Sequence, residues 1–128
     1  MLKNRKFGHV GFAVDKLEED VQWYKEVMGF EEIGKFPIDG EPAYFLKSGD
    51  MIYELYTDNN LPEGARGLVD HICYDSDDIE ADWEYCKAQG FKFIDKEIVF
   101  IPEFWSNGYR YFMIETPAGD KVEFGQIL

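Results

Sequence analysis

An internal repeat constrains the fold of this chain more than any other feature of its 128 residues. When His9 is laid on His71, the two stretches that follow keep matching in the same order. The further pairs are Asp15 with Asp77, Glu18 with Glu80, Asp20 with Asp82, Lys25 with Lys87, Gly29-Phe30 with Gly90-Phe91, Tyr44-Phe45 with Tyr111-Phe112, and Gly49-Asp50 with Gly119-Asp120. An ordered series of this length is typical of duplication. We therefore predict one domain, residues 1–128, made of two modules at about 5–58 and 67–127 with a turn-rich linker at 58–66.

Each module has the same predicted order of elements, βαβββ. An apolar run at its start indicates a strand, and three shorter apolar segments at its end indicate three more. Between them lies a helix, for which Asp15 with Glu18, and Asp77 with Glu80, resemble capping boxes. The predicted apolar stripes are Leu17, Val21, Tyr24 and Met28 in the first helix and Ile79, Trp83 and Cys86 in the second. The predicted closing strands are 31–36, 43–47 and 51–56 in the first module, then 92–97, 109–115 and 121–126 in the second. The fold class is α+β.

Composition limits the function. With 13 Lys and Arg against 26 Asp and Glu, the formal charge is -13, which opposes binding to nucleic acid or to an anionic membrane surface. No apolar run is long enough for a membrane helix, and no signal-type segment opens the chain, so we expect a cytoplasmic protein. Cys73 and Cys86 lack metal-binding or disulfide spacing and are predicted to be reduced, buried thiols.

The chain has two histidines, and the repeat places both early in the first strand of a module. Because side chains alternate across a strand, His9 and His71 are predicted to face away from the module's helix. Glu54 and Glu123 interrupt the apolar last strands, where an uncompensated carboxylate is costly to bury. An isolated strand histidine is most often a satisfied core residue, and an isolated strand glutamate usually lies on the surface. The joint pattern favours one divalent metal ion held by His9, Glu54, His71 and Glu123.

Two imidazoles and two carboxylates balance a divalent charge and suit Ni, Zn, Co, Mn or Fe(II). Four protein ligands on a six-coordinate ion would leave two neighbouring positions for a small-molecule substrate with adjacent oxygens. Such an ion acidifies a C–H bond beside a carbonyl and stabilises the enediolate that results. A ligand carboxylate that loosens from the ion could move the proton. The predicted activity is therefore proton transfer next to a carbonyl.

Four segments carry a resemblance to a known family. They are Gly8-His-Val-Gly-Phe12, Val69-Asp-His-Ile-Cys73, Tyr53-Glu-Leu55 and Thr116-Pro-Ala-Gly-Asp-Lys-Val-Glu123. Together they resemble the vicinal oxygen chelate superfamily, which includes glyoxalase I. The resemblance implies two βαβββ modules whose curved mixed sheet surrounds a metal cleft, and a lactoylglutathione lyase-like enzyme, either lyase or isomerase. By position it assigns the catalytic base to Glu123, with Glu54 second.

The resemblance leaves the substrate and two other functions open. Glutathione-using members carry Arg and Asn where this chain has Ala13 and Asp58, so glutathione use is not predicted. An epimerase with the same enolate chemistry is one alternative. A non-catalytic drug-binding protein like the bleomycin resistance members, which are also acidic, is another. Members often pair modules across a homodimer, and we expect a dimer here.

The aromatic loop at residues 100–109 lies between strands of the second module, where loops commonly frame a ligand pocket. The same loop could instead cover a sheet edge or a subunit interface. The predicted substrate contacts are Trp105, Asn107, Arg110 and Tyr56.

Overall fold

The structure, a computed structural model, describes residues 2–58 and 68–128. These described residues form two compact units, one within His9–Asp70 and the other within Met1–Gly8 together with His71–Leu128. The residues before His9 therefore pack with the second half of the chain. The predicted linker at 58–66, apart from Asp58, lies outside the described residues. No helix in the two described ranges combines the length and the apolarity needed to cross a membrane.

The first unit contains one helix and a four-stranded mixed sheet. Strands β2, β3 and β4 follow one another in antiparallel pairs, and β1 lies parallel to β4, giving the order β2-β3-β4-β1. The elements are β1 (Phe7–Ala13), α1 (Leu17–Glu26), β2 (Glu31–Ile38), β3 (Glu41–Ser48) and β4 (Met51–Tyr56). The predicted βαβββ order is confirmed in this unit.

The second unit repeats the plan with an additional strand. Strand β5 lies parallel to β9, which pairs with β8, and β8 also pairs with the short β6 and β7. The elements are β5 (Leu68–Asp75), α2 (Ile79–Ala88), β6 (Lys92–Phe93), β7 (Val99–Ile101), β8 (Tyr109–Glu115) and β9 (Lys121–Ile127). The α+β class and the duplicated plan predicted from the sequence are thus present.

The predicted strand at residues 92–97 is wrong beyond Phe93. Asp95 Oδ2 accepts a hydrogen bond of 2.7 Å from the Met113 N–H. In a continued strand, that amide would donate to a backbone carbonyl of the neighbouring strand. A side chain that bonds to the backbone in this way competes with regular pairing. The chain bends there, and the β7 segment that follows was not predicted.

In each unit a helix packs on one face of the sheet around its own core. Leu17 and Val21 of α1 join Val14, Phe30, Tyr44, Leu46 and Leu55. Ile79 and Cys86 of α2 join Phe112, Ile114 and Phe124, with Trp83 packed against them. The apolar stripes are confirmed except at Met28, which is 52% exposed because α1 ends at Glu26. Both cysteines are buried and free, as predicted.

The two helices begin differently, and neither start is the predicted capping box. In α1 the N-cap is Lys16, which provides no side-chain hydrogen bond. Glu18 instead accepts the Tyr44 hydroxyl at 2.8 Å. In α2 the N-cap is Asp78, one residue after the predicted Asp77, and its carboxylate accepts the Ala81 N–H at 3.1 Å.

Candidate metal centre

The first unit brings His9 and Glu54 together. His9 belongs to β1 and Glu54 to the parallel neighbour β4, and their Nε2 and Oε1 atoms are 3.3 Å apart. Both residues are buried, with 5% and 8% of their surfaces exposed. The ring of Phe45 meets the His9 imidazole edge to face, with ring centroids 5.3 Å apart. The pair is therefore shielded from water on its apolar side.

The second unit brings His71 and Glu123 together in the same way. His71 lies on β5 and Glu123 on the parallel neighbour β9, and Nε2 is 2.8 Å from Oε2. These residues are 4% and 3% exposed. Leaving a carboxylate this deeply buried without a compensating charge is costly. A cation bound by both the imidazole and the carboxylate would provide that compensation.

The two pairs share the same strand register. Glu54 lies opposite Gly11, two residues after His9, and Glu123 lies opposite Cys73, two residues after His71. The repeat seen in the sequence is thus also a repeat of strand pairing. Each unit presents one imidazole and one carboxylate from adjacent parallel strands.

The spacing within each pair fits ligands of one ion. Two N or O ligands about 2.1 Å from a metal and at right angles to each other are about 3 Å apart. The observed separations of 3.3 Å and 2.8 Å lie on either side of that value. The donor types, imidazole nitrogen and carboxylate oxygen, suit Zn, Mn, Fe(II), Co and Ni. Each half of the predicted ligand set is therefore sterically and chemically suited to a divalent ion.

A residue that the sequence analysis missed contacts Glu123. The Tyr109 hydroxyl, on β8, donates to Glu123 Oε1 at 2.7 Å and lies 3.3 Å from Cys73 Sγ. Burial, followed by the nearby negative charge of Glu123, raises the pKa of Tyr109 well above its usual value of 10.0. The phenol therefore keeps its proton at neutral pH and acts as a donor to the carboxylate.

Strand alternation contains only a partial signal for Tyr109, because it gives the face of the sheet on which the residue lies but not its contact with Glu123. Residues opposite each other in an antiparallel pair share a face, and Met113 lies opposite Glu123. Tyr109 is four residues from Met113 on the same strand, so it lies on the same face. It is opposite Ile127, however, and reaches Glu123 only because its ring lies along the strand direction.

The predicted substrate contacts have different surroundings. Tyr56 is half-buried, two residues after Glu54 on the same face of β4, and lines a cavity of about 290 Å³ with Ile38, Asp39 and Asp58. Trp105 has a φ of 57° in the loop before β8, and Asn107 Nδ2 is 3.5 Å from the Leu128 carbonyl. Arg110 forms an ion pair with Glu80 on α2.

Arg110 lies away from the carboxylate of its own unit. It follows Tyr109 on β8, so its side chain projects from the opposite face of the sheet, toward the helix. The structure thus brings Tyr109 to Glu123 and Arg110 to Glu80. No contact joins Arg110 to the His71 and Glu123 pair within the described residues of the second unit.

Comparison with known proteins identifies the family. Residues 6–124 match the model of the Glyoxalase/Bleomycin resistance protein/Dioxygenase superfamily. The chain belongs to this superfamily. The match covers both repeats, which confirms the resemblance given by the four sequence segments.

Two sequence relatives and one solved structure illustrate what this chain is similar to. An uncharacterized Bacillus subtilis protein, YwbC, is 32% identical over 127 residues, covering 95% of this chain and 98% of its own. A manganese-dependent 2,3-dihydroxybiphenyl 1,2-dioxygenase from Geobacillus genomosp. 3 is 32% identical over 88 residues, or 66% of this chain and 26% of that enzyme. A methylmalonyl-CoA epimerase from Mycobacterium tuberculosis has the same fold, with a TM-score of 0.79, 17% identity, and coverage of 100% of this chain and 93% of that one.

Proposed function

We propose that this glyoxalase superfamily member is a metal-dependent lyase or isomerase that moves a proton next to a carbonyl group. In this proposal His9, Glu54, His71 and Glu123 hold one divalent ion. The observation that carries the proposal is the pair of buried imidazole–carboxylate contacts in equivalent register. The dioxygenase relative, which is manganese-dependent by name, supports a metal in this fold.

The ligand set gives each residue a defined task. When bound, a divalent ion would polarise a substrate carbonyl and lower the pKa of the adjacent C–H bond. Glu123 would accept that proton at a carboxylate oxygen, and Glu54 is the second candidate for this role. His9 and His71 would remain neutral, each with Nε2 toward the glutamate of its own unit. Burial of both pairs excludes water that would weaken these electrostatic interactions.

The substrate would be a small molecule with adjacent oxygens, and the reaction would not use glutathione. Glutathione has two carboxylates, which need cationic partners. Of the arginines that the structure describes, Arg5 is paired with Asp82 and Arg110 with Glu80, and Arg66 lies outside the described residues. Ala13, where glutathione-using members carry Arg, is buried and offers no charge. Trp105, Asn107 and Tyr56 stay proposed substrate contacts, whereas the ion pair of Arg110 favours a structural role for that residue.

An epimerase is the second candidate. Epimerisation through an enolate requires acid–base groups that can act on both faces of the reacting carbon. The chain has two glutamates in equivalent strand register beside a histidine, Glu54 and Glu123, which supports this alternative. It differs from the first proposal only in the substrate and in the number of glutamates that exchange protons.

Metal analysis of the purified protein tests the proposal directly. We expect one divalent ion per chain and its loss in His71→Ala, because that variant lacks one of four ligands. Ile72→Ala is the matched control, since Ile72 is the next residue of β5 and is 40% exposed on the opposite face. Activity on methylglyoxal, with and without glutathione, then separates the substrate classes. Full metal content in His71→Ala would refute the ligand set.

Two other results would redirect the proposal. A protein that binds no divalent ion but binds a cationic drug would support the drug-binding alternative, to which the charge of -13 is suited. Gel filtration at several protein concentrations measures dimerisation, and metal analysis of the same samples measures the bound ion. Metal content that rises with the dimer fraction would support a site in which the two pairs meet across a homodimer.

A further inference from the structure

Tyr109 occupies a buried position between two side chains of the second unit. Its hydroxyl is 2.7 Å from Glu123 Oε1 and 3.3 Å from Cys73 Sγ, and only 5% of the residue is exposed. The phenol proton is directed to the carboxylate, and the Cys73 thiol lies beside the phenol oxygen and within 3.6 Å of the Tyr74 carbonyl, to which it can also donate. The result is a chain of polar groups from Cys73 through Tyr109 to Glu123.

The two oxygens of Glu123 are thereby distinguished. Oε1 accepts the hydrogen bond from Tyr109, whereas Oε2 lies 2.8 Å from His71 Nε2. A carboxylate held at one oxygen cannot rotate freely about its terminal torsion, which is otherwise soft. The hydrogen bond therefore keeps Oε2 directed toward the imidazole.

Strand β9 has a glycine, Gly125, at the position over which the Tyr109 ring lies. A Cβ placed on Gly125 would lie 1.6 Å from the Tyr109 hydroxyl oxygen and 2.4 Å from the ring carbon that bears it. Gly125 is not among the glycines with positive φ, so its backbone does not itself require glycine. Glycine is needed at this position because the ring of Tyr109 lies directly over it.

We propose that Tyr109 is a positioning residue that orients Glu123 for metal binding, through a phenol–carboxylate hydrogen bond seated on Gly125. The inference rests on the proposed function, because it concerns one of the four proposed ligands. Hydrogen-bond partners that orient metal ligands typically affect metal affinity about 10- to 100-fold. Tyr109 need not touch the ion or the substrate to have this effect.

Titration of the metal-free protein with Mn²⁺, followed by electron paramagnetic resonance, tests this role. Tyr109→Phe keeps the ring and removes the hydroxyl, so we expect the Kd for Mn²⁺ to rise about 10-fold or more. The matched control is Tyr74→Phe, which removes a phenol from β5 on the face that packs against Phe124. Its Kd should equal that of the wild type. Circular dichroism confirms that each variant is folded.

A second variant and a second readout separate positioning from general loosening of the structure. Gly125→Ala retains the phenol but displaces it, and we expect the same direction of change in Kd. At saturating Co²⁺, the visible absorption spectrum of Tyr109→Phe should differ from that of the wild type, because the orientation of one ligand carboxylate has changed. The Tyr74→Phe spectrum should not differ.

The outcomes distinguish the two levels of the hypothesis. If the wild type binds Mn²⁺ and His71→Ala does not, while Tyr109→Phe binds with wild-type affinity and an unchanged Co²⁺ spectrum, Tyr109 is not a positioning residue and the proposed function stands. If the wild type binds no metal, or His71→Ala binds normally, the proposed function fails and the role of Tyr109 fails with it.

Discussion

The two units present the same metal-binding pair on different supports. Both place a histidine and a glutamate on adjacent parallel strands in equivalent register. In the second unit, side-chain hydrogen bonds stabilise the helix start, the buried carboxylate of the helix and the glutamate of the metal-binding pair. Those side chains are Asp78 at the helix start, Arg5 and Ser76 on Asp82, and Tyr109 on Glu123. In the first unit Lys16 occupies the helix start, and Asp20, the counterpart of Asp82 in the repeat, lies near Asp15 and Glu19.

This difference shows which parts of a duplicated scaffold tolerate divergence. The strand register fixes where a histidine and a glutamate meet, and it is the same in both units. Helix caps and ion pairs lie at the periphery of each unit, where different local solutions support the same sheet. We therefore expect substitutions at equivalent positions to have unequal effects.

The largest expected inequality is between the two glutamates. Glutamine keeps a ligating oxygen but cannot accept the substrate proton. Glu123→Gln should lower turnover about 10²- to 10⁴-fold, as loss of a general base does. Glu54→Gln should lower it about 10-fold, as an altered ligand does. Both variants are compared at matched metal content on the same α-hydroxycarbonyl substrate.

Equal losses in the two glutamine variants would support the epimerase alternative, in which both carboxylates transfer protons. A larger loss in Glu54→Gln would contradict the assignment of the base to Glu123. That second result would show that the unit with the more extensive hydrogen bonding is not the one that performs the proton transfer.

The next inequality is between the helix carboxylates. Burial opposes ionisation of Asp82, but hydrogen bonds from Arg5 and Ser76 outweigh it and lower the pKa of this carboxyl below 3.8. Burial, followed by the charges of Asp15 and Glu19, raises the pKa of Asp20. At neutral pH, Asp82→Asn should reduce the free energy of unfolding by roughly 2 to 3 kcal/mol. Asp20→Asn should increase it by about 0.5 kcal/mol. Urea denaturation measures both.

The effects of the Asp82 and Asp20 substitutions on stability depend on pH for opposite reasons, because folding lowers the pKa of Asp82 and raises that of Asp20. The stability that Asp82 contributes is present above its unfolded pKa of 3.8 and is lost as the pH falls through its lower folded pKa. The Asp20 carboxylate destabilises the fold above its raised folded pKa, and protonation relieves this as the pH falls toward 3.8. The gain from Asp20→Asn should therefore disappear at a higher pH than the loss from Asp82→Asn. The reverse order would contradict this account of the two environments.

The smallest expected effect concerns the helix starts. Asp78→Ala removes the acceptor for the Ala81 N–H and should reduce the free energy of unfolding by about 1 kcal/mol. Lys16→Ser supplies an acceptor to α1 and should increase it by about 0.5 kcal/mol. Denaturation with urea at constant ionic strength measures both changes. If Lys16→Ser has no effect, the α1 start is already satisfied without a side-chain cap.

Most of the fold could be predicted because the repeat and the strand and helix periodicities agree. The pairing of His9 with Glu54 and of His71 with Glu123 follows from which strands are first and last in each module. Tyr109 could not be assigned because its contact depends on the direction in which a long ring lies, four residues from the nearest cross-strand partner of Glu123. Alternation places it on the correct face but does not give its reach.

The errors at the helix starts and at residues 94–97 have a common physical origin. In each case a side chain forms a specific hydrogen bond that the hydrophobic pattern does not reveal. Glu18 bonds Tyr44 instead of closing a capping box, and Asp95 accepts the amide of Met113 instead of leaving it to a strand. Spacing along the sequence identifies candidates for such bonds but not the competition among them.

In each unit the histidine and the glutamate come from the first and last strands, which lie far apart along the chain and meet in a parallel ladder. Closing that ladder is an unfavourable step for the chain entropy, since the whole unit must be arranged before its two ends touch. An ion held by such a pair would bind the folded unit and not the unfolded chain. Metal binding would therefore stabilise the completed fold. Resistance of the protein to unfolding would then vary with the supply of metal in its surroundings.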